Sequence, residues 1–193
     1  MNPDRPEPAL LEVRDRAELR AWLAANHATS SPVHLAIGKK GRTATVLTYD
    51  DAVEEALAFG WIDSTAHSLD ADRMTVLFAR RKPDSTWSRS NKERVGRLTA
   101  AGRMAPAGLA TVEAAKANGS WSSLDDIEAL VVPGDLAAAL AADPVATRGW
   151  AAASASQRKM VLYWIASAKR METRTRRISE IVRAAAEGRA LRQ

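Results

Sequence analysis

The stretch WIDSTAHSLDADRMTVLFARR, residues 61–81, decides the fold class. Two runs rich in β-branched and aromatic residues, 61–70 and 73–81, flank a short Asp-rich turn, the pattern of a strand pair. Reading backwards, TYDDAVEEALAFG (48–60) is a helix. Thr48 is its cap, acids lie in and near its first turns, and Gly60 is its stop. Its inner stripe is Val53, Ala56, Leu57 and Gly60. PVHLAIG (32–38) is a strand with Val33, Leu35 and Ile37 on one side. Before it lie a helix capped by Asp15, with Leu19, Trp22 and Leu23 on its buried face, and a short strand in ALLEVRD (9–15). GKKGRTATV (38–46) reads as a polar connection. The order is β-α-β-α-β-β.

After Pro83 the pattern becomes helical. SNKERVGRLTAAG (90–102) has Ser90 and Glu93 spaced as a capping box. Pro106 opens a helix that closes at Asn118-Gly119. Two short Ala/Leu-rich helices follow, then one opened by Ser154 and Gln157, then a basic helix ended by Gly188. The fold class expected is α+β: a small mixed or antiparallel sheet of about four strands with helices in the N-terminal half, and an all-helical C-terminal half. The chain is read as a single domain, 1–193, with a sheet-plus-helix part over 9–82 and a helical part over 83–193.

Composition excludes several classes. There is no Cys, which removes disulfides, thiolate metal sites and cysteine nucleophiles together. His27, His34 and His67 have no metal-like spacing, so no metal or cofactor is expected. No Ser-His-Asp signature, phosphate loop or paired-His motif is present. An enzyme is therefore the weaker reading, with Asp63 as acid or base and Arg80 or Lys169 holding an anion. No apolar run approaches the roughly 20 residues that cross a bilayer. The polar, Pro-rich N-terminus lacks the pattern of a signal peptide. A cytoplasmic protein without membrane insertion is the expectation.

Charge is unevenly distributed. Residues 1–72 carry net −5, 73–103 net +7, 104–157 net −4 and 158–193 net +7, within a chain total of +5. The question is whether the two basic segments are solvated faces, a nucleic-acid surface, a protein-docking face or the wall of an anion site. Helical spacing separates Asn91, Val95 and Leu98, which face inward, from Arg94 and Arg97, which read as solvated. Trp87 and Ser88 precede the helix N-terminus, where an anion is favoured. Trp87 also fits plain packing, and Asn91 fits a buried backbone partner. Asp63 shares a strand face with Trp61, as a partner for a buried Arg or as a polar group in a pocket. In the last helix, Arg174 extends the apolar stripe of Ile178, Ile181, Val182 and Ala185. Lys169, Glu172 and Arg174 read as an ion-pair network or a ligand clamp.

Four stretches resemble one family: TYDDAVEEALAFGWIDS (48–64), RRKPDSTW through ANGSW (80–121), VPGDLAAAL (132–140) and AKRMETRTRRI (168–178). Together, from Ala17 to Gly188, they look like the YdeI/OmpD-associated family, also labelled bacteriocin-protection proteins. The family pattern has Cys where this chain has Ala58, so a thiol function does not carry over. The label implies a link to porins, envelope stress or bacteriocin tolerance and no defined reaction. The positions matching the family pattern include Trp61, Asp63, Arg80, Trp87, Ser88, Asn91, Arg103, Met104, Lys169, Thr173 and Arg174. The ligand-binding set expected is Trp61, Asp63, Arg80, Arg81, Trp87, Ser88, Asn91, Lys169 and Arg174, and the partner expected is an anionic small molecule, ahead of nucleic acid.

Overall fold

The computed structural model describes residues 7–39, 41 and 47–191. Most of the polar connection expected over 38–46 falls outside them, as do residues 1–6 of the N-terminal stretch. The chain forms two compact units, Met1–Ser122 and Ser123–Gln193.

In the first unit, β1 (Ala9–Leu11), α1 (Arg16–Asn26), β2 (Val33–Gly38), α2 (Tyr49–Ala58), β3 (Trp61–Ser68) and β4 (Arg73–Arg80) follow in the expected order. They precede α3 (Arg89–Ala100) and α4 (Pro106–Ala117). The four strands form one mixed sheet in the order β1-β2-β4-β3. β1 runs parallel to β2, and the other two pairings are antiparallel. The β3–β4 turn is held by Asp70, whose Oδ1 accepts from the backbone of Asp72 and Arg73 at 2.9 and 2.7 Å. Val33 lies opposite Phe78 and Leu35 opposite Val76, which aligns the buried face of the sheet. Asp63 also lies opposite Phe78, so it points to that same face at the outer edge strand. A β-bulge follows between Asp63 and Ala66.

α3 begins two residues earlier than its sequence signature indicates. Ser88, in extended conformation, is the N-cap, and its hydroxyl accepts from the Asn91 backbone. Ser90 is already helical, so the Ser90–Glu93 box does not form. Trp87, Val95, Leu98, Val112 and Ala115 belong to one core with Leu35, Phe78 and Trp61. Because α3 and α4 bury their apolar faces in the core of the sheet unit, the units divide at 122/123 and not at 82/83.

The second unit is helical: α5 (Asp125–Glu128), α6 (Gly134–Ala141), α7 (Pro144–Ala152), α8 (Ala155–Ala166) and α9 (Met171–Ala186). Among the described residues no strand follows Arg80. The Ser154–Gln157 capping box is present as expected. Leu136, Leu140, Trp150, Val161, Ile165, Ile178 and Ile181 make a separate core. No helix among the described residues is long and apolar enough to cross a membrane.

Each unit has one helix crossing too close for a side chain. A Cβ on Gly108 of α4 falls 2.2 Å from the Ala58 carbonyl oxygen. One on Gly149 of α7 falls 2.1 Å from that of Ala185. Backbone cannot yield as a flexible side chain does, so the helices must part. Gly108→Ala and Gly149→Ala are each expected to lose about 1–3 kcal/mol in urea unfolding. Gly96→Ala, in α3 with nothing within 4 Å of the new methyl, is expected to gain about 0.5–1 kcal/mol.

Candidate anion-binding site

The acids of the first unit concentrate on α2, as Asp50, Asp51, Glu54 and Glu55. This helix touches α1, α3, α4 and β3, and Glu55 is wholly buried at 0% exposure. An isolated carboxylate in that position would be prohibitively costly. Three arginines meet it instead. Arg16 Nε donates to Oε1 at 2.7 Å and Arg20 Nη1 to Oε2 at 2.7 Å, while Arg103 also donates to Oε1. Arg16 reaches Asp51 and Glu54 as well, at 2.6 and 2.8 Å. On α3, Arg97 pairs with Glu54 at 3.1 Å and Arg94 with Asp50 at 2.6 Å. Burial opposes ionisation of Asp51 and Glu54, yet hydrogen bonds outweigh it, from Thr48 and Arg16 for Asp51 and from Arg16 and Arg97 for Glu54. Both carboxyls are held below their ordinary range. Much of the basic segment 73–103 is therefore the counter-charge of an acidic helix.

Arg81 is different. It follows β4, its backbone N–H donating to the Gly60 carbonyl at 2.9 Å, and it is 9% exposed. Its guanidinium lies over the Trp87 ring, 3.7 Å from the centroid. Nη2 donates to the Thr86 carbonyl. Nε and Nη1, which carry three of the five guanidinium hydrogens, have no acceptor. Burial pulls this arginine down to about 10, with the Asp63 charge working against the shift. Yet no ion pair closes between Arg81 and Asp63, for the two nitrogens facing away from Thr86 stay unpartnered. Asp63 is held by Tyr49 instead, whose hydroxyl donates to Oδ2 at 2.5 Å. Burial, and then the bond to Asp63, push the Tyr49 phenol up to about 12. Ser88 caps α3 directly after Trp87. Asn91 sits in the first turn and accepts from Arg94 through Oδ1 at 3.0 Å. The arrangement is a buried cation on an indole, next to a helix N-terminus, with a fixed carboxylate near it.

A family model described as Domain of unknown function (DUF8412) matches residues 11–111, more than half of the chain, including the whole of this arrangement. The chain belongs to this family. A second model, Bacteriocin-protection, YdeI or OmpD-Associated, matches residues 129–188, within the helical unit. The resemblance read in the sequence from Ala17 to Gly188 is thus met by that model only in its C-terminal third, and the DUF8412 family covers the sheet unit. No curated protein and no solved structure matches the chain.

Five of the expected residues, Asp63, Arg81, Trp87, Ser88 and Asn91, are linked through this constellation in the DUF8412 region. Trp61 is a core strut at 1% exposure, its indole N–H donating to the His27 carbonyl at 3.0 Å and its ring edge-on to Trp22. Arg80 is exposed and donates to the Ala28 carbonyl at 2.5 Å. Lys169 and Arg174 belong to the second unit. Lys169 is exposed there, and Arg174 grips Asp135 through Nε and Nη2 at 2.6 and 2.9 Å, so its partner is Asp135 and not Glu172. Arg94 corrects the sequence reading. Its side chain is 17% exposed and doubly engaged, not solvated, whereas that of Arg97 is 62% exposed. Tyr49 and Glu55 were missed. Tyr49 lies one turn before Val53 on the inner stripe of α2, so extending that stripe backwards would have found it. Glu55 lies off the stripe, and only the packing of α2 on several sides reveals its burial.

Glu55→Ala leaves three arginines converging on a neutral cavity. Breaking a buried pair from one side is expected to cost about 3–5 kcal/mol, read as a large drop in urea midpoint. Asp51 and Glu54 ionise below their ordinary values of 3.8 and 4.5 in the fold. Unfolding therefore takes up protons in acid, and stability is lost as pH falls below about 4.5, in proportion to these depressed values. Asp51→Asn with Glu54→Gln is expected to flatten the acid limb of a stability-against-pH curve.

Proposed function

We propose that the N-terminal unit binds an anionic small molecule at Arg81, Trp87, Ser88 and Asn91, with Asp63 and Tyr49 at its border. The observation that supports this is the buried Arg81 guanidinium, whose Nε and Nη1 have no acceptor. A buried polar group without a partner is rare in native proteins and calls for an acceptor. An oxyanion supplies both acceptors and countercharge, and the α3 N-terminus adds a favourable field. The protein acts as a cytoplasmic binding protein rather than as an enzyme. A part in bacteriocin tolerance has its support in the description of the family model over 129–188.

The nucleic-acid reading has less support. Arg94, Arg97 and Arg103 are engaged with α2 acids. In the second unit, Arg174 pairs with Asp135, and Arg177 donates to the Trp164 carbonyl and to Ser167. The exposed face of α9 mixes Arg176 and Arg183 with Glu172, Glu180 and Glu187. A phosphate backbone needs cations left free for it.

The test is a thermal-shift titration with inorganic phosphate, sulfate, succinate, propionate and a mixed-sequence oligonucleotide, at low and high salt. At least one small oxyanion is expected to stabilise the wild type saturably, by about 2.7 kcal/mol at a hundredfold excess over Kd. Arg81→Met is expected to abolish that gain while leaving the ligand-free protein as stable as the parent or more so, because it removes an unpaired buried charge. Oligonucleotide binding that falls steeply with salt, with no response to the small anions, would overturn the reading.

A further inference from the structure

The three histidines are scattered along the chain, and the sheet brings two of them together. His34 of β2 lies opposite Leu77, and His67 of β3 opposite Thr75. Both partners belong to β4, the strand between β2 and β3. Directly opposed residues share a face, as do residues two apart on one strand. His34 and His67 therefore project from the same side of the sheet, the side away from Leu35, Val76 and Phe78 in the core. Their ring centroids are 6.5 Å apart, with the ring planes at 65°. His34 Nδ1 is cut off from water and has no hydrogen-bond partner. His27 is the contrast, with its Nδ1 against the Leu23 carbonyl at 3.0 Å and its ring packed on Phe59.

We infer that His34 and His67 form a two-imidazole clamp across β4 for a divalent transition-metal ion of the Cu²⁺, Ni²⁺ and Zn²⁺ class. A buried nitrogen without a partner is a cost that a ligand removes. Neutral imidazole carries a lone pair on one nitrogen, and a borderline metal ion takes it. Two metal–nitrogen bonds of about 2.0–2.1 Å hold imidazole rings at about this separation or somewhat closer. His67 is exposed on the edge strand, and a turn about its side-chain bonds closes the difference. Among the described residues no group of three or more His, Asp or Glu can hold a metal, so water fills the other coordination positions. Such a site imposes little geometry. Affinity then follows the intrinsic order, Cu²⁺ above Ni²⁺ and Zn²⁺, while Mg²⁺ prefers oxygen ligands and is excluded. The clamp exists only when β2 and β3 are both paired to β4, so the ion links them and stabilises the folded sheet. It is independent of the Arg81 site.

The test is calorimetric titration of the untagged full chain with copper(II), nickel, zinc and magnesium chlorides in a buffer that does not bind metals. Cu²⁺ is expected to bind at one ion per chain, more tightly than Ni²⁺ or Zn²⁺, and Mg²⁺ not at all. Saturating Zn²⁺ is expected to raise the melting temperature. His34→Ala and His67→Ala are each expected to weaken Cu²⁺ binding by about tenfold or more, no less than the loss of an outer-shell partner costs a metal site. His27→Gln is expected to bind as the parent does. In the wild type, substoichiometric Cu²⁺ is expected to broaden the imidazole NMR signals of His34 and His67 together and before those of His27. These signals read the site directly even where a variant fails to fold, which circular dichroism detects. Binding that survives either substitution, broadening that spares one of the two rings, or half an ion per chain with dimerisation overturns the clamp. So does the absence of Cu²⁺ binding at millimolar concentration.

Discussion

Glu55 has no contact with water, and arginines from three separate segments converge on it. Arg16 and Arg20 come from α1, and Arg103 from the turn between α3 and α4. One carboxylate thus ties the first helix, the central helix and the later helical pair together. Charged groups are costly to bury, so the arrangement holds only while all its members are in place. Arg16 extends it to Asp51 and Glu54, and Arg97 reaches Glu54 from the other side. The partly buried members are screened little by salt, unlike an exposed pair.

The same unit contains the opposite case. Arg81 is also buried, but it has an indole and a carbonyl where Glu55 has three cations. Stacking on Trp87 offsets part of the loss of hydration. It offers no acceptor to Nε and Nη1. Each arginine of the α2 cluster has an acid, and Arg81 has none. Completed networks rigidify a fold, and incomplete ones point to what a protein holds.

Much of this was legible in the residues. The two runs around the Asp70 turn, the caps Asp15, Thr48 and Ser154 and the stops Gly102 and Gly188 are local signals, and each stands where it was read. Asp63, Arg81, Trp87, Ser88 and Asn91 stand out in the sequence by their types and spacing, and all five lie in the sheet unit. The failures share a cause. Arg94 reads as solvated because a helical wheel shows which side of its own helix a residue occupies, not what stands opposite. Ser90 reads as the cap because its Glu93 partner is visible in sequence, whereas the extended backbone at Ser88 is not. Glu55 carries no signal because the α2 sequence shows a one-sided stripe, whereas the helix is packed on several sides.

The sequence by itself determined the α+β class, the order of elements and the segregation of charge into acidic and basic blocks. These follow from periodicity, turn chemistry and composition, which act over a few residues. Only the tertiary structure decided how the blocks pair. It set α3 arginines against α2 acids, gathered α3 and α4 into the core of the sheet, and held Arg81 apart from Asp63. Those outcomes depend on which elements lie within a few ångströms of each other, and Coulomb energy and desolvation are governed by that distance and by burial. Two arginines thirteen residues apart, Arg81 and Arg94, look alike in the chain. Arg94 closes an ion pair with an aspartate and Arg81 does not, and the difference arises only when the elements pack.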